Sequence, residues 1–164
     1  MIKDSGNRRE FTSGAVRDIQ EGKGRCDLLP LDVVCGYYEA AGCPGYGQMF
    51  YFLNKFKETA DVLHLYAALR MFLEISPFCE AADMFLEVSK HFEEGAKKYG
   101  EYNWQKGIPV HCYLDSATRH FLKWLRHDED EPHDRAFVWN LMCCIWTVKH
   151  KPELNDYGKE NNHD

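Results

Sequence analysis

From Asp61 to His150 the apolar residues recur at intervals of three and four, and no stretch of the chain alternates apolar with polar. That periodicity restricts the chain to helices. Asp61 is placed to cap a helix carrying Leu65, Ala68, Leu69 and Phe72 on one face. "SP" at 76–77 breaks the chain, and a helix over about 78–99 then aligns Ala81, Phe85, Val88, Phe92, Ala96 and Tyr99. Gly100 stands where a C-terminal glycine ends a helix. From about 112 a further helix turns Leu114, Ala117, Phe121 and Leu125 inward, and a last one runs from near Pro132 to about His150. Upstream, "LDVVCGYYEAAG" reads as a short helix stopped by turn chemistry in "GCPGYG", and "QMFYFLNKFKET" follows. With 164 residues the chain suffices for one core. The expected architecture is a single all-α domain over 1–164, a bundle of four to five main helices. Residues 1–30 form a polar, glycine-rich N-terminal lead-in or arm, 36–80 a helical section, and 151–164 a polar tail expected to fray.

The net charge of −6 and the lack of any Lys/Arg cluster exclude duplex nucleic acid as a partner, because phosphate neutralisation dominates that binding. A small phosphorylated ligand is compatible, since a local pocket can be basic on an acidic protein. Seven cysteines with no C-x-x-C pair match no zinc pattern and read as buried thiols in a reducing compartment. The polar N-terminus and the absence of a long apolar run give no signal peptide and no membrane span, so the expectation is a cytoplasmic protein.

Three helices bring polar groups to the border of the core. In "DEDEPHDRAFVWN", at about 100° per residue, His133 and Asn140 fall on the face carrying Ala136, Phe137, Cys143, Cys144 and Thr147. Glu93 and Lys97 stand at i and i+4 beside their helix's stripe. They are either a solvent-facing ion pair or a metal ligand beside a phosphate-binding lysine. Asp115 and Arg119 repeat that spacing, with His120 on the opposite flank. Carboxylates converging inside a bundle hold Mg2+ or Mn2+ on hard oxygen ligands, and neighbouring cations suit a polyphosphate. "EGKGR" is no P-loop, "DEDE" is no calcium loop, and neither H-E-x-x-H nor G-x-S-x-G occurs. An HD-type phosphohydrolase stays open, with His127-Asp128 or His133-Asp134 joined by His64, His91 and His120.

Blocks of the sequence resemble a known family. "FTSGAVRDIQEGKGRCDLLP", "HFEEGAKKYGEYNWQKGIPVHCYLDSATRHFLKWL" and "DEDEPHDRAFVWN" look like the phage and bacterial dATP/dGTP diphosphohydrolase N-terminal domain, itself similar to the all-α MazG-like NTP pyrophosphohydrolases. The blocks cover roughly 11–31 and 84–146, and 36–80 looks like a variable section. The resemblance implies metal-dependent hydrolysis of a (d)NTP, by family label a purine dNTP, to (d)NMP and pyrophosphate in a homo-oligomer of a bacterial or phage-infected cytoplasm. It implies Mg2+, or alternatively Mn2+, on Glu93, Asp115 and Asp130, with Glu94 and His133 as further catalytic members. Lys97, Arg119 and His120 would contact phosphates, and Asn103, Trp104 and Asn140 sugar or base. Arg17, Lys23, Arg25 and Asp27 would form an arm over the site. The chain departs from the E-x-x-E and E-x-x-D spelling of such enzymes: Lys97 follows Glu93-Glu94, and His133 follows Asp130. "EAAD" at 80–83 and "ETAD" at 58–61 keep that spelling, but the first faces away from its stripe and the second spans a break. A non-catalytic nucleotide-binding or scaffold protein is the alternative to the enzyme.

Overall fold

The computed structural model describes residues 6–20, 22–75 and 81–158. Among the described residues six helices carry the fold: α1 (Leu31–Ala40), α2 (Pro44–Thr59), α3 (Val62–Ile75), α4 (Ala81–Tyr99), α5 (Val110–Leu125) and α6 (His133–His150). One more helix is present than the four to five expected, because the section before residue 80 resolves into three. The break at 76–77, Cys79 and the first residue of "EAAD" lie outside the described residues.

The α6 helix is the central member. Its residues Ala136, Phe137, Val138, Asn140, Leu141, Cys143 and Cys144 are all buried, and α3, α4 and α5 pack around it. The face predicted from "DEDEPHDRAFVWN" is therefore the buried one, polar members included. Phe72, Phe121 and Phe137 meet at the centre, with ring centroids 4.6 to 6.1 Å apart. Asp61 caps α3 as expected, accepting the Leu63 amide at 2.9 Å. Gly100, at φ +90°, ends α4.

Four expectations change. First, the turn at "GCPGYG" ends at Cys43. Pro44 takes the first helical position of α2, and Gly45 and Gly47 continue the helix. A Cβ at Gly47 would lie 3.2 Å from the Cys35 carbonyl, so the glycine lets α1 lie close against α2. Second, the N-terminal arm contains a hairpin, β1 (Arg8–Glu10) against β2 (Val16–Asp18), antiparallel with Arg9 opposite Arg17. Three-residue strands are too short to display alternation.

Third, the inward face of α4 is Met84, Val88 and His91, while Phe85 is exposed. His91 lies 5.2 Å from Trp139 of α6 between ring centroids, and that contact draws a ring read as polar into the core. The rotation turns Glu94 inward and Glu93 outward.

Fourth, the tail is docked as far as residue 158. Tyr157 packs on Phe56 at 5.8 Å, and Asp156 Oδ1 accepts the His111 amide at 3.0 Å. Asp156 thus caps α5 from the far end of the chain, which no local sequence rule anticipates. Gly107, at φ +97°, passes beneath this tail, where a Cβ would collide with the Leu154 and Lys151 side chains. The hydrogen bond that the His111 ring donates to Asp156, and after it the contact with Cys112, raises the His111 pKa from its ordinary 6.5 to about 10. While Asp156 is ionised, the pairing is therefore fully stabilising below pH 6.5 and is lost as the pH rises towards 10. Hydrogen exchange of 151–158 should accelerate across that window, and rates that follow only the intrinsic pH dependence of exchange would contradict the pairing.

Candidate functional site: a cleft beneath the N-terminal arm

Between the arm, the C-terminal half of α4, the 100–108 loop, α5 and α6 lies a cleft of about 1060 Å³. That volume matches a nucleotide-sized ligand. The arm forms its roof, and most polar residues predicted to touch substrate turn out to fasten that roof down.

Asn103 pairs its side-chain amide with the Val16 backbone in both directions, accepting from the amide at 2.9 Å and donating to the carbonyl at 2.8 Å. Arg17 donates to Asn140 Oδ1 at 2.6 Å and to the Cys112 carbonyl at 2.9 Å, with its guanidinium over the rings of Tyr113 and Trp139. Asn140 spends its amide nitrogen on the Ala136 carbonyl. Its buried position on α6 is thus explained: it is the socket for Arg17. Asp115, 2% exposed, accepts from Gln20 at 3.1 Å, from the Asp27 amide at 3.3 Å and from Arg119. Arg119 also donates to the Lys23 carbonyl at 3.0 Å. Asp27 is itself buried beneath Arg25. Burial acts to raise its pKa, but the Arg25 hydrogen bonds and charge outweigh this and hold it below the usual carboxylate value.

Of the predicted residues, Arg17, Lys23, Glu93, Asn103, Trp104, Asp115, Arg119, His120, Asp130 and Asn140 line the cleft. Glu94, Lys97, Arg25, Asp27 and His133 do not line it. Glu93 and Lys97 form an exposed ion pair with each other, the plainer of the two readings at that spacing. Glu94 accepts from the buried Arg135 at 3.1 Å. Glu93, Asp115 and Asp130 share the cleft but do not bring their carboxylates to one point. Among the described residues, the groups of three whose ligand atoms lie within 4.8 Å of one another are His120–Glu131–His133 and Asp128–Asp130–His133. An all-oxygen cage for Mg2+ does not fit the expected trio. The HD arrangement is likewise not assembled, because neither His64 nor His91 joins these groups.

The cleft has two distinct ends. One is aromatic: Phe92 lies between two tryptophans, 5.3 Å from Trp104 and 5.9 Å from Trp139. His91 borders it, pushed down to about 4 by burial first and by Arg135 second, so the ring is neutral near pH 7. Its Nδ1 and the Trp139 Nε1 are buried without a hydrogen-bond partner among the described residues. The other end is charged, with Lys23, Arg119 and Lys123 each already paired to an acid: Asp18, Asp115 and Asp130. There burial, then the charges of His133 and Arg119, hold His120 well below its ordinary pKa.

Sequence reasoning missed Gln20, Glu131, Arg135 and the His111–Asp156 pair. Glu131 carried a signal, as the last acid before Pro132; the others depend on contacts between distant segments. The cysteines among the described residues are free; Cys35, Cys112, Cys143 and Cys144 are buried as expected, whereas Cys26 and Cys43 are half-buried. Among the described residues, no helix is long and apolar enough to cross a membrane.

The family model for the dATP/dGTP diphosphohydrolase N-terminal domain matches residues 74–157. This span holds α4, α5, α6 and the cleft floor, and leaves out the 11–31 block that the resemblance included. No curated protein and no solved structure matches the chain. With half its length matched, the chain belongs to the dATP/dGTP diphosphohydrolase N-terminal family.

Proposed function

We propose that the chain hydrolyses a deoxynucleoside triphosphate, a purine one by the family's description, to the monophosphate and pyrophosphate. The observation that carries this reading is the coincidence of the family match with a cleft that is aromatic at one end and charged at the other. A base stacks on the aromatic end. The triphosphate extends towards Lys23, Arg119 and Lys123. Water attacks in line, one P–O bond breaks, and the pyrophosphate leaves with the bonding electrons. Among the described residues the cleft is lined by five Lys/Arg and six Asp/Glu, which supply no net positive charge for a polyanion. That balance supports a requirement for a divalent cation, Mg2+ or Mn2+, which when bound neutralises charge on the phosphates.

The reading is tested by incubating the full chain with each of the four dNTPs and Mg2+ or Mn2+, then separating the products by ion exchange. Monophosphate with pyrophosphate, faster for dATP and dGTP and abolished by a chelator, is the expected result. Release of intact tripolyphosphate would favour a phosphohydrolase of another kind. Tight nucleotide binding without turnover under any cation would favour a non-catalytic nucleotide-binding protein. That second reading draws on one observation, that Asp115 and Arg119 are committed to holding the arm.

We also propose that the protein is a homo-oligomer. Leu63, Tyr66, Phe85 and Leu86 are exposed apolar side chains on α3 and α4, in keeping with a further surface to be covered. Light scattering should give a mass of at least twice 19.2 kDa, and a monomer at micromolar concentration would contradict it.

A further inference from the structure

Where α5 meets the loop before α6, the donors are nitrogen as well as oxygen. His120 Nδ1 and His133 Nδ1 lie 3.0 Å apart, and each lies 3.7 Å from Glu131 Oε1. A triangle with these sides has a centre about 2.0 Å from all three corners. Zn2+ makes bonds of about that length to imidazole nitrogen and carboxylate oxygen. The side chains are held in place: that of His133 is 1% exposed, His120 14% and Glu131 12%.

The remaining nitrogen of His133 is also accounted for. Nε2 lies 2.7 Å from Asp130 Oδ1, and Lys123 braces the same carboxylate from its other oxygen at 3.1 Å. A ring whose Nε2–H donates to a carboxylate presents a bare lone pair at Nδ1, the usual way in which proteins fix the tautomer of a metal-bound histidine. Two imidazoles and a carboxylate are a donor set for ions of borderline softness, whereas Mg2+ prefers oxygen alone.

We propose that His120, His133 and Glu131 form a binding site for a divalent transition-metal cation (Mn2+, Co2+ or Zn2+), with Asp130 as the residue that positions His133. This assigns the sequence's acidic run a different part from the one expected: Glu131 is the ligand, and Asp130 stands behind it. What such an ion does for a triphosphate rests on the reading of the cleft as a nucleotide site; its binding does not. The competing account of the 3.0 Å spacing is a proton shared between two rings, which predicts no ion binding at all.

The test titrates the full chain, stripped with chelator, with Mn2+, Co2+, Zn2+ and Mg2+ alone by calorimetry, with Co2+ also followed by its visible absorption. The wild type is expected to bind Co2+ and Zn2+ at least tenfold more tightly than Mg2+. Glu131→Gln, in a loop and nearly isosteric, and His120→Asn should each weaken Co2+ binding at least tenfold and change its spectrum. Asp130→Asn should weaken it roughly 10- to 100-fold. Glu93→Gln should leave it unchanged. Circular dichroism of each metal-free variant, compared with wild type, separates ligand loss from misfolding. Failure of every ion to bind, Mg2+ binding tightest, or loss of binding in Glu93→Gln but not in Glu131→Gln would each overturn the assignment. Ion binding as predicted without dNTP turnover would contradict the proposed function and leave this site standing. Turnover with no ion bound at these residues would do the reverse.

Discussion

Asp115→Ala is expected to lower stability by about 3–5 kcal/mol, the cost of removing one partner from a buried ion pair. The carboxylate is buried and is the acceptor at which three parts of the arm's attachment meet: Gln20, the Asp27 amide and Arg119. Its loss leaves the largely buried Arg119 without its counter-charge and the Asp27 N–H without an acceptor. For a chain of 164 residues, at roughly 2–4 °C per kcal/mol, the melting temperature should fall by about 6–20 °C. Proteolysis should then cut first between residues 6 and 28, because the roof detaches before the bundle opens. An Asp115 that served only as a metal ligand would behave in the opposite way. Removing its charge would leave the metal-free protein equally stable or more so, and that result would contradict the assignment of Asp115 to the arm.

Trp139→Leu is expected to have the largest effect on nucleotide binding. Trp139 joins the aromatic end of the cleft to the arm, contacting Phe92 and His91 on one side and the Arg17 guanidinium on the other. Stacking of a base on an aromatic ring is worth about 1–3 kcal/mol. Leucine keeps apolar volume but offers no face, so KM for the preferred dNTP should rise roughly 5- to 150-fold with a smaller change in kcat. A fall in kcat at unchanged KM would place the ring's role at the reacting phosphates instead. An unchanged KM with unchanged kcat would remove the base from this end of the cleft.

What the sequence conveyed follows the range of the forces involved. Helix positions, the Asp61 cap, the Gly100 stop and the buried face of α6 all rest on local periodicity, and all are present. The α4 face was misjudged because hydrophobicity ranks Phe85 above His91, whereas the ring of Trp139, a whole element away, decides which is buried. That rotation leaves Glu93 exposed in an ion pair with Lys97 and turns Glu94 to the buried Arg135. Asn140 was expected on an inward face and Asp115 at the border of the core, and both are buried. Their partners, Arg17, Gln20 and Asp27, lie 88 to 123 residues distant along the chain, and nothing in local spacing foretells such a clamp. A polar residue on an apolar face therefore marked a place where something binds, and for these two the occupant is the protein's own N-terminal arm.

The central claim is that this cleft cleaves a triphosphate to a monophosphate and pyrophosphate. Its most direct measurement is the 31P NMR spectrum of dATP or dGTP turning over on the wild-type protein with a divalent cation. The account predicts that the triphosphate resonances decline while one pyrophosphate and one monoester signal grow in equal molar amounts. Diphosphate with inorganic phosphate, intact tripolyphosphate, or a spectrum that does not change with any cation would contradict it.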